Sequence, residues 1–75
     1  MHKDIIRAMR IKKGFSQDDM VFELRSRGRK ISRPTYARIE RGDAEVTVSD
    51  LVLIFGIFSE PVEKFFSSKY NKQVI

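Results

Sequence analysis

Residues 16–42 read SQDDMVFELRSRGRKISRPTYARIERG, and the spacing inside this stretch predicts two short helices joined by a turn. Ser16 followed by Asp19 forms an N-terminal cap with a carboxylate three residues on, and Asp18 and Asp19 suit the positive end of a helix dipole. Met20, Val21 and Leu24 then supply one apolar stripe, which can run to Ser26 or Arg27. Ser32 is a second cap. Pro34 is tolerated only in a first turn, where its missing N–H would be unpaired anyway, so the next helix starts at Arg33 and closes at Gly42. Tyr36 and Ile39 fall on one face of it as core residues, while Pro34, Ala37, Arg38 and Arg41 swing to the other.

Working outward, Ile5, Ile6 and Met9 repeat at helical spacing, giving a first helix over about residues 2–13 that Gly14 ends. Thr47 with Asp50 caps a fourth helix containing Val48, Leu51, Val52, Ile54 and Phe55, for which Gly56 is the stop. Ser59 caps a short fifth helix through Glu60, Pro61, Val62, Phe65 and Phe66, with Pro61 in the first turn. No repeat, low-complexity tract or strand pair is visible. The expected architecture is all-α: one compact domain over residues 1–67 with a C-terminal tail over 68–75.

The chain has 75 residues and no cysteine, so neither a disulfide framework nor a thiolate metal site is expected. His2, the one histidine, lacks companions for a metal or proton-transfer site and is expected to be solvated. The net charge of +5 is unevenly placed. Residues 1–42 hold twelve Lys and Arg against five acids, and residues 43–75 hold three against five. A basic half of this kind suits approach to phosphate. The longest apolar run, Leu51 to Phe58, is far below the roughly 20 residues that cross a bilayer, and the charged start does not read as a signal peptide, so a cytoplasmic protein is expected. No carboxylate pair, nucleophile with a base, or glycine-rich phosphate loop stands out. That argues against an enzyme, and no cofactor, metal or small-molecule substrate is expected.

With five helices placed, the chain resembles the phage repressor and Cro helix-turn-helix family, also called the xenobiotic-response-element type. The resemblance covers residues 3–66 and rests on Ile6, Met9, Arg10, Gly14, Phe15, Ser16, Gln17, Met20, Val21, Leu24, Ile31, Ser32, Ile39, Glu40, Gly42, Leu51, Ile54 and the segment from Ser59 to Phe66. It implies a compact five-helix lambda-repressor-like domain that binds double-stranded DNA. Gln17 would hold a phosphate at the start of helix two. Arg33, Pro34, Ala37 and Arg38 would face the bases in the major groove, with Arg38 set for a bidentate contact to guanine and Pro34 limited to apolar contact. Arg41 would meet phosphate, and Arg10 and Glu40 would form a structural ion pair tying helix one to helix three.

The chain departs from the family pattern in two places. Leu24 and Ser32 are separated by seven residues, Arg25 to Ile31, which makes an extended turn between helices two and three. Its Arg25, Arg27, Arg29 and Lys30 would either follow the DNA backbone or form a mobile basic loop; the fit of arginine to phosphate favours the backbone. The loop Gly42-Asp43-Ala44-Glu45 is acidic where relatives hold basic residues, and fits a loop turned away from DNA or toward a second copy. The function implied is a sequence-specific transcriptional regulator, a repressor or operon controller of phage or plasmid type, bound to a two-fold operator as a homodimer. Phe65, Phe66 and Tyr70 are the expected dimer contacts. The alternative is a protein-interaction module, antitoxin-like or anti-repressor-like, that uses the exposed part of Leu51–Phe58 and Phe65–Phe66.

Overall fold

A computed structural model describes residues 3–66, which form α1 (Lys3–Lys13), α2 (Gln17–Ser26), α3 (Arg33–Arg41) and α4 (Val48–Phe58), followed by a helical turn at residues 63–66. His2, Tyr70 and the expected tail lie outside the described residues. Three of the four expected N-caps, at Ser16, Ser32 and Thr47, are made. Ser16 Oγ accepts from the Asp19 N–H at 3.0 Å while Asp19 Oδ2 accepts from the Ser16 N–H at 2.9 Å, a reciprocal capping box. Ser32 and Thr47 accept from the N–H groups of Thr35 and Asp50 at 3.3 and 3.1 Å.

Helices α1 to α4 end in the same way, by a left-handed residue followed by an N–H that reaches back to the carbonyl five residues earlier. The pairs are Phe15 to Arg10, Arg29 to Leu24, Asp43 to Arg38 and Glu60 to Phe55, at 2.8 to 3.0 Å. Gly14, Gly28 and Gly42 supply the positive φ in three of them, and Ser59, at φ 59, supplies it in the fourth. Two expectations are corrected here. Gly56 does not stop α4, and Ser59 caps the end of α4 instead of the start of a fifth helix. The helix runs past Gly56 because Ile57 and Phe58 are buried beyond it. Burying such a side chain contributes about 1.5 to 3 kcal/mol, against roughly 1 kcal/mol lost to glycine within a helix.

The core is built from Ile6, Met20, Leu24, Ile31, Tyr36, Ile39, Leu51, Ile54, Phe55, Ile57, Phe58 and Phe65. Helices α1 and α2 each pack against both α3 and α4. The Phe55 ring meets Phe58 and Phe65 edge to face, with centroids 5.6 and 6.1 Å apart. Val48 and Val52, named among the apolar residues of the fourth helix, face outward at 65% and 51% exposure. Among the described residues no helix is long and apolar enough to cross a membrane, and no group of His, Cys, Asp and Glu could hold a metal ion.

The extended turn, residues 27–32, is an ordered part of the domain. Gly28 at φ 90 lets the chain reverse, and Ile31 drops into the core at 5% exposure. Arg25 Nε donates to the Ile31 carbonyl at 2.9 Å. Arg29 Nε donates to Asp50 Oδ1 at 2.8 Å and its Nη1 to the Lys30 carbonyl at 2.8 Å. The turn is thereby fastened to α2, to the core and to α4.

Ser59→Gly is expected to raise stability by about 1 kcal/mol, because a left-handed conformation costs an L-residue roughly 1 to 2 kcal/mol and glycine returns part of that gain as chain entropy. In a domain of this size that is a rise of about 4 to 8 °C in a calorimetric melt. An unchanged or lower midpoint would show that the serine carries no strain.

Candidate nucleic-acid interface

Helix α3 divides cleanly. Tyr36, Ile39 and Glu40 are buried, whereas Arg33, Pro34, Arg38 and Arg41 are exposed and Ala37 is half-buried. At about 100° per residue the outward five occupy an arc of about 140°. Three of them are arginines. Arg33 reaches Asp18 on α2 at 3.5 Å, and Arg41 pairs with Asp43 at 3.0 Å. Arg38 makes no ion pair or side-chain hydrogen bond among the described residues.

Behind this face lies a charged cluster that fixes where it points. Arg10 Nε donates to Glu40 Oε2, Arg10 Nη2 to Glu40 Oε1 at 3.3 Å, and Arg10 Nη1 to the Phe15 carbonyl at 2.9 Å. Gln17 Nε2 donates to the same Oε1 at 3.2 Å. One carboxylate therefore ties together α1, the α1–α2 turn, the first residue of α2 and the last turn of α3. Burial works against the charge on Glu40, yet the hydrogen bonds from its neighbours, Arg10 first, outweigh it and hold its carboxyl below the usual range. The Tyr36 hydroxyl is fully buried beside the pair and has no hydrogen-bond partner among the described residues. Burial, and then the Glu40 charge, push its ionisation far above the ordinary phenol value.

Gln17 stands at the start of α2 as expected for a phosphate contact, but one of its amide N–H groups is committed to Glu40, which leaves the other free. The basic residues of the turn separate into two kinds. Arg25 and Lys30 line one shallow groove with Ile31 and Ser32, beside the start of α3. Arg27 pairs with Glu23 at 2.6 Å on the surface. Arg29 is different, because its partner Asp50 is buried at 7% exposure. Exposed pairs such as Arg27–Glu23, Arg33–Asp18 and Arg41–Asp43 contribute about 0 to 1 kcal/mol, so a phosphate can take over the arginine at small cost. Releasing Arg29 would strand a buried carboxylate, which costs several times more.

Three partners were not readable beforehand. Asp50 looked like a capping carboxylate and turns instead to Arg29, Asp18 meets Arg33 across the two helices, and the Phe15 carbonyl takes the third arm of Arg10. Of the expected dimer contacts, Phe65 is a core residue at 5% exposure, Phe66 is half-buried against its ring, and Tyr70 lies outside the described residues. The same burial removes most of the surface assigned to a protein-interaction module, since Leu51, Ile54, Phe55, Ile57 and Phe58 all belong to the core.

A family model described as helix-turn-helix matches residues 6–65 of the chain. No curated protein and no solved structure matches it.

Glu40→Ala leaves the Arg10 guanidinium, 9% exposed as a residue, without its carboxylate. The expected loss of stability is about 3 to 5 kcal/mol, read from a thermal melt. A midpoint equal to the parent's would remove the structural role of the pair. The folded-state pKa of Glu40 lies below its unfolded value, so its contribution is complete above the unfolded value of about 4.3 and is lost as pH falls through the folded one. The stability gap between the parent and Glu40→Gln should therefore narrow as pH falls below about 4; a constant gap would contradict this.

Proposed function

This chain belongs to the helix-turn-helix family of DNA-binding transcription regulators, of the phage repressor and Cro type, and from that premise we propose that it is a repressor or operon controller of phage or plasmid type which binds a two-fold operator as a dimer, with α3 as the helix that reads it. Binding to double-stranded DNA comes with the family. What supports the finer reading is the outward face of α3, above all Arg38, whose guanidinium is exposed and uncommitted on the arc opposite Tyr36 and Ile39.

Arg38 offers two parallel N–H donors in the fork that matches guanine O6 and N7. Arg33, Pro34 and Ala37 occupy the rest of the arc, with Pro34 and Ala37 suited to apolar contact such as a thymine methyl group. Gln17 offers its second amide N–H, and α2 its free backbone N–H groups, to a phosphate. Arg41 and Arg27 trade exposed carboxylates for phosphates. Arg25 and Lys30, sharing a groove at the start of α3, take a further phosphate. Arg29 acts on the protein and holds the turn in place for them. Regulation then follows by occupancy, because a domain seated in the major groove excludes other proteins from the same segment.

A helix of nine residues reads few bases, and two copies on one duplex supply the missing selectivity. Selection of bound duplexes from a random pool should recover a pseudo-palindrome with half-site centres about 10 to 10.5 base pairs apart, or a multiple of that. A recovered site without two-fold symmetry would sink the dimer reading. Arg38→Ala should cost about 1 to 3 kcal/mol and relax preference at one base pair of each half-site. If it weakens all sequences equally, Arg38 is a phosphate ligand instead.

The turn can be dissected by salt titration. Lys30→Ala should reduce the slope of log affinity against log salt by about 0.9 for specific and random DNA alike. Arg29→Ala should lower the melting temperature and leave that slope unchanged in the folded protein. The reverse assignment of these two effects would show that Arg29 is the phosphate ligand.

A further inference from the structure

Asp18 is an acid on the side of the domain assigned to DNA. It stands in the first turn of α2, next to Gln17, with a side chain 72% exposed. It takes no part in the cap, whose reciprocal bonds join Ser16 and Asp19. The positive end of the helix dipole favours an acid at this end, but Asp19 already provides one. Beside a residue that offers an N–H to phosphate, a second carboxylate repels DNA of every sequence. Its one partner among the described residues is Arg33, the first residue of α3, whose Nη1 donates to Asp18 Oδ2 at 3.5 Å.

Which nitrogen is used decides what the arginine can still do. A guanidinium presents Nε–H and Nη2–H side by side as a fork for two acceptors. Arg10 turns that edge to the two oxygens of Glu40. Arg41 gives its Nε to Asp43 and so commits one prong. Arg33 is held by Nη1, and its Nε and Nη2 stay free among the described residues. Of the three arginines on the outward arc of α3, Arg33 alone is both tethered and able to present the fork, since Arg38 has no partner to hold it.

The tether stands on a firm support. The capping box fixes the start of α2, and the bond from Gln17 to buried Glu40 joins that turn to the end of α3. The pair itself lies in solvent and adds little to stability. What it sets is the direction of a long side chain that otherwise loses rotamer freedom on meeting a base.

We infer that Asp18 is a positioning residue for base recognition. It holds Arg33 by Nη1 while the Nε–Nη2 edge meets O6 and N7 of a guanine, which makes Arg33 a second guanine reader alongside Arg38. This rests on the proposed reading of α3 as the helix in the major groove. The two arginines are five residues apart, about 7.5 Å along the helix axis, and stand at opposite margins of the outward arc, so they read different base pairs. Asp18 thereby lowers affinity for DNA of every sequence and raises discrimination at one base pair of each half-site.

The experiment is a set of titrations on the whole chain at one salt concentration, below the melting temperature of every variant. The probes are a duplex selected from a random pool, versions of it with each guanine replaced in turn, and a random duplex. Arg33→Ala should reduce the preference for one guanine of each half-site by about fivefold or more and spare the guanine that depends on Arg38. Asp18→Ala should reduce the preference at the same guanine by at least about threefold, while binding the random duplex more tightly than the parent does. In the Arg33→Ala background, Asp18→Ala should leave every base preference unchanged. If Asp18→Ala instead tightens binding to all duplexes by one factor with preferences intact, the carboxylate only repels DNA and the inference falls. A loss of preference that persists without the Arg33 side chain would overturn the tether. Arg33→Ala weakening all sequences equally makes Arg33 a phosphate ligand, and the inference then fails alone, because the Arg38-dependent guanine and the symmetry of the selected site still support the proposed function. If no duplex is preferred over another, the proposed function fails and the inference fails with it.

Discussion

The Glu40 carboxylate is the point on which the rest of the domain depends. Its two oxygens receive three donors from α1 and α2, and the arginine that supplies two of them spends its third arm on the Phe15 carbonyl, at the turn where α1 gives way to α2. Apolar contacts hold these helices together without fixing how they are rotated, because hydrophobic attraction is non-directional. A buried fork of charge-assisted hydrogen bonds has direction. It sets the end of α3 against the start of α2, and with that the angle between the helix assigned to the bases and the helix end assigned to a phosphate.

Among the described residues two kinds of ion pair have different consequences. Arg10–Glu40 and Arg29–Asp50 have a buried carboxylate, and breaking either leaves an uncompensated charge away from water. Arg27–Glu23, Arg33–Asp18 and Arg41–Asp43 sit in solvent and contribute little. The first class is architecture and the second is a reserve of cations that can change partner. Arg29 belongs to the architecture although its neighbours in the turn do not, and what decides this is the burial of Asp50 on another helix.

The six residues between α2 and α3 gain order through the same mixture of forces. Gly28 permits the reversal, the Ile31 side chain is taken out of water, and two arginines bond to carbonyls of the turn itself. A long connection thus becomes a rigid part of the surface beside α3, with Arg25 and Lys30 on its rim. In α4 the balance is similar: the burial of Ile57 and Phe58 carries the helix past Gly56 and leaves a serine in the left-handed position that closes it.

The helices of the central pair, their caps at Ser16 and Ser32, the stop at Gly42, and the division of α3 into a core face and a basic face were legible in the sequence. Each depends on residues within a turn or two of one another, and local backbone chemistry decides them. The partnership of Arg10 and Glu40 was legible only through resemblance to a family, since nothing in their spacing brings residues thirty positions apart together. The packing of α1 and α2 against α3 and α4 decided the remainder. It sent Asp50 to Arg29, buried Phe65, left Val48 and Val52 in solvent, and made the basic turn a fixed structure. These outcomes depend on which face of each helix meets which neighbour, and an apolar residue at helical spacing does not reveal whether its side of the helix will be covered.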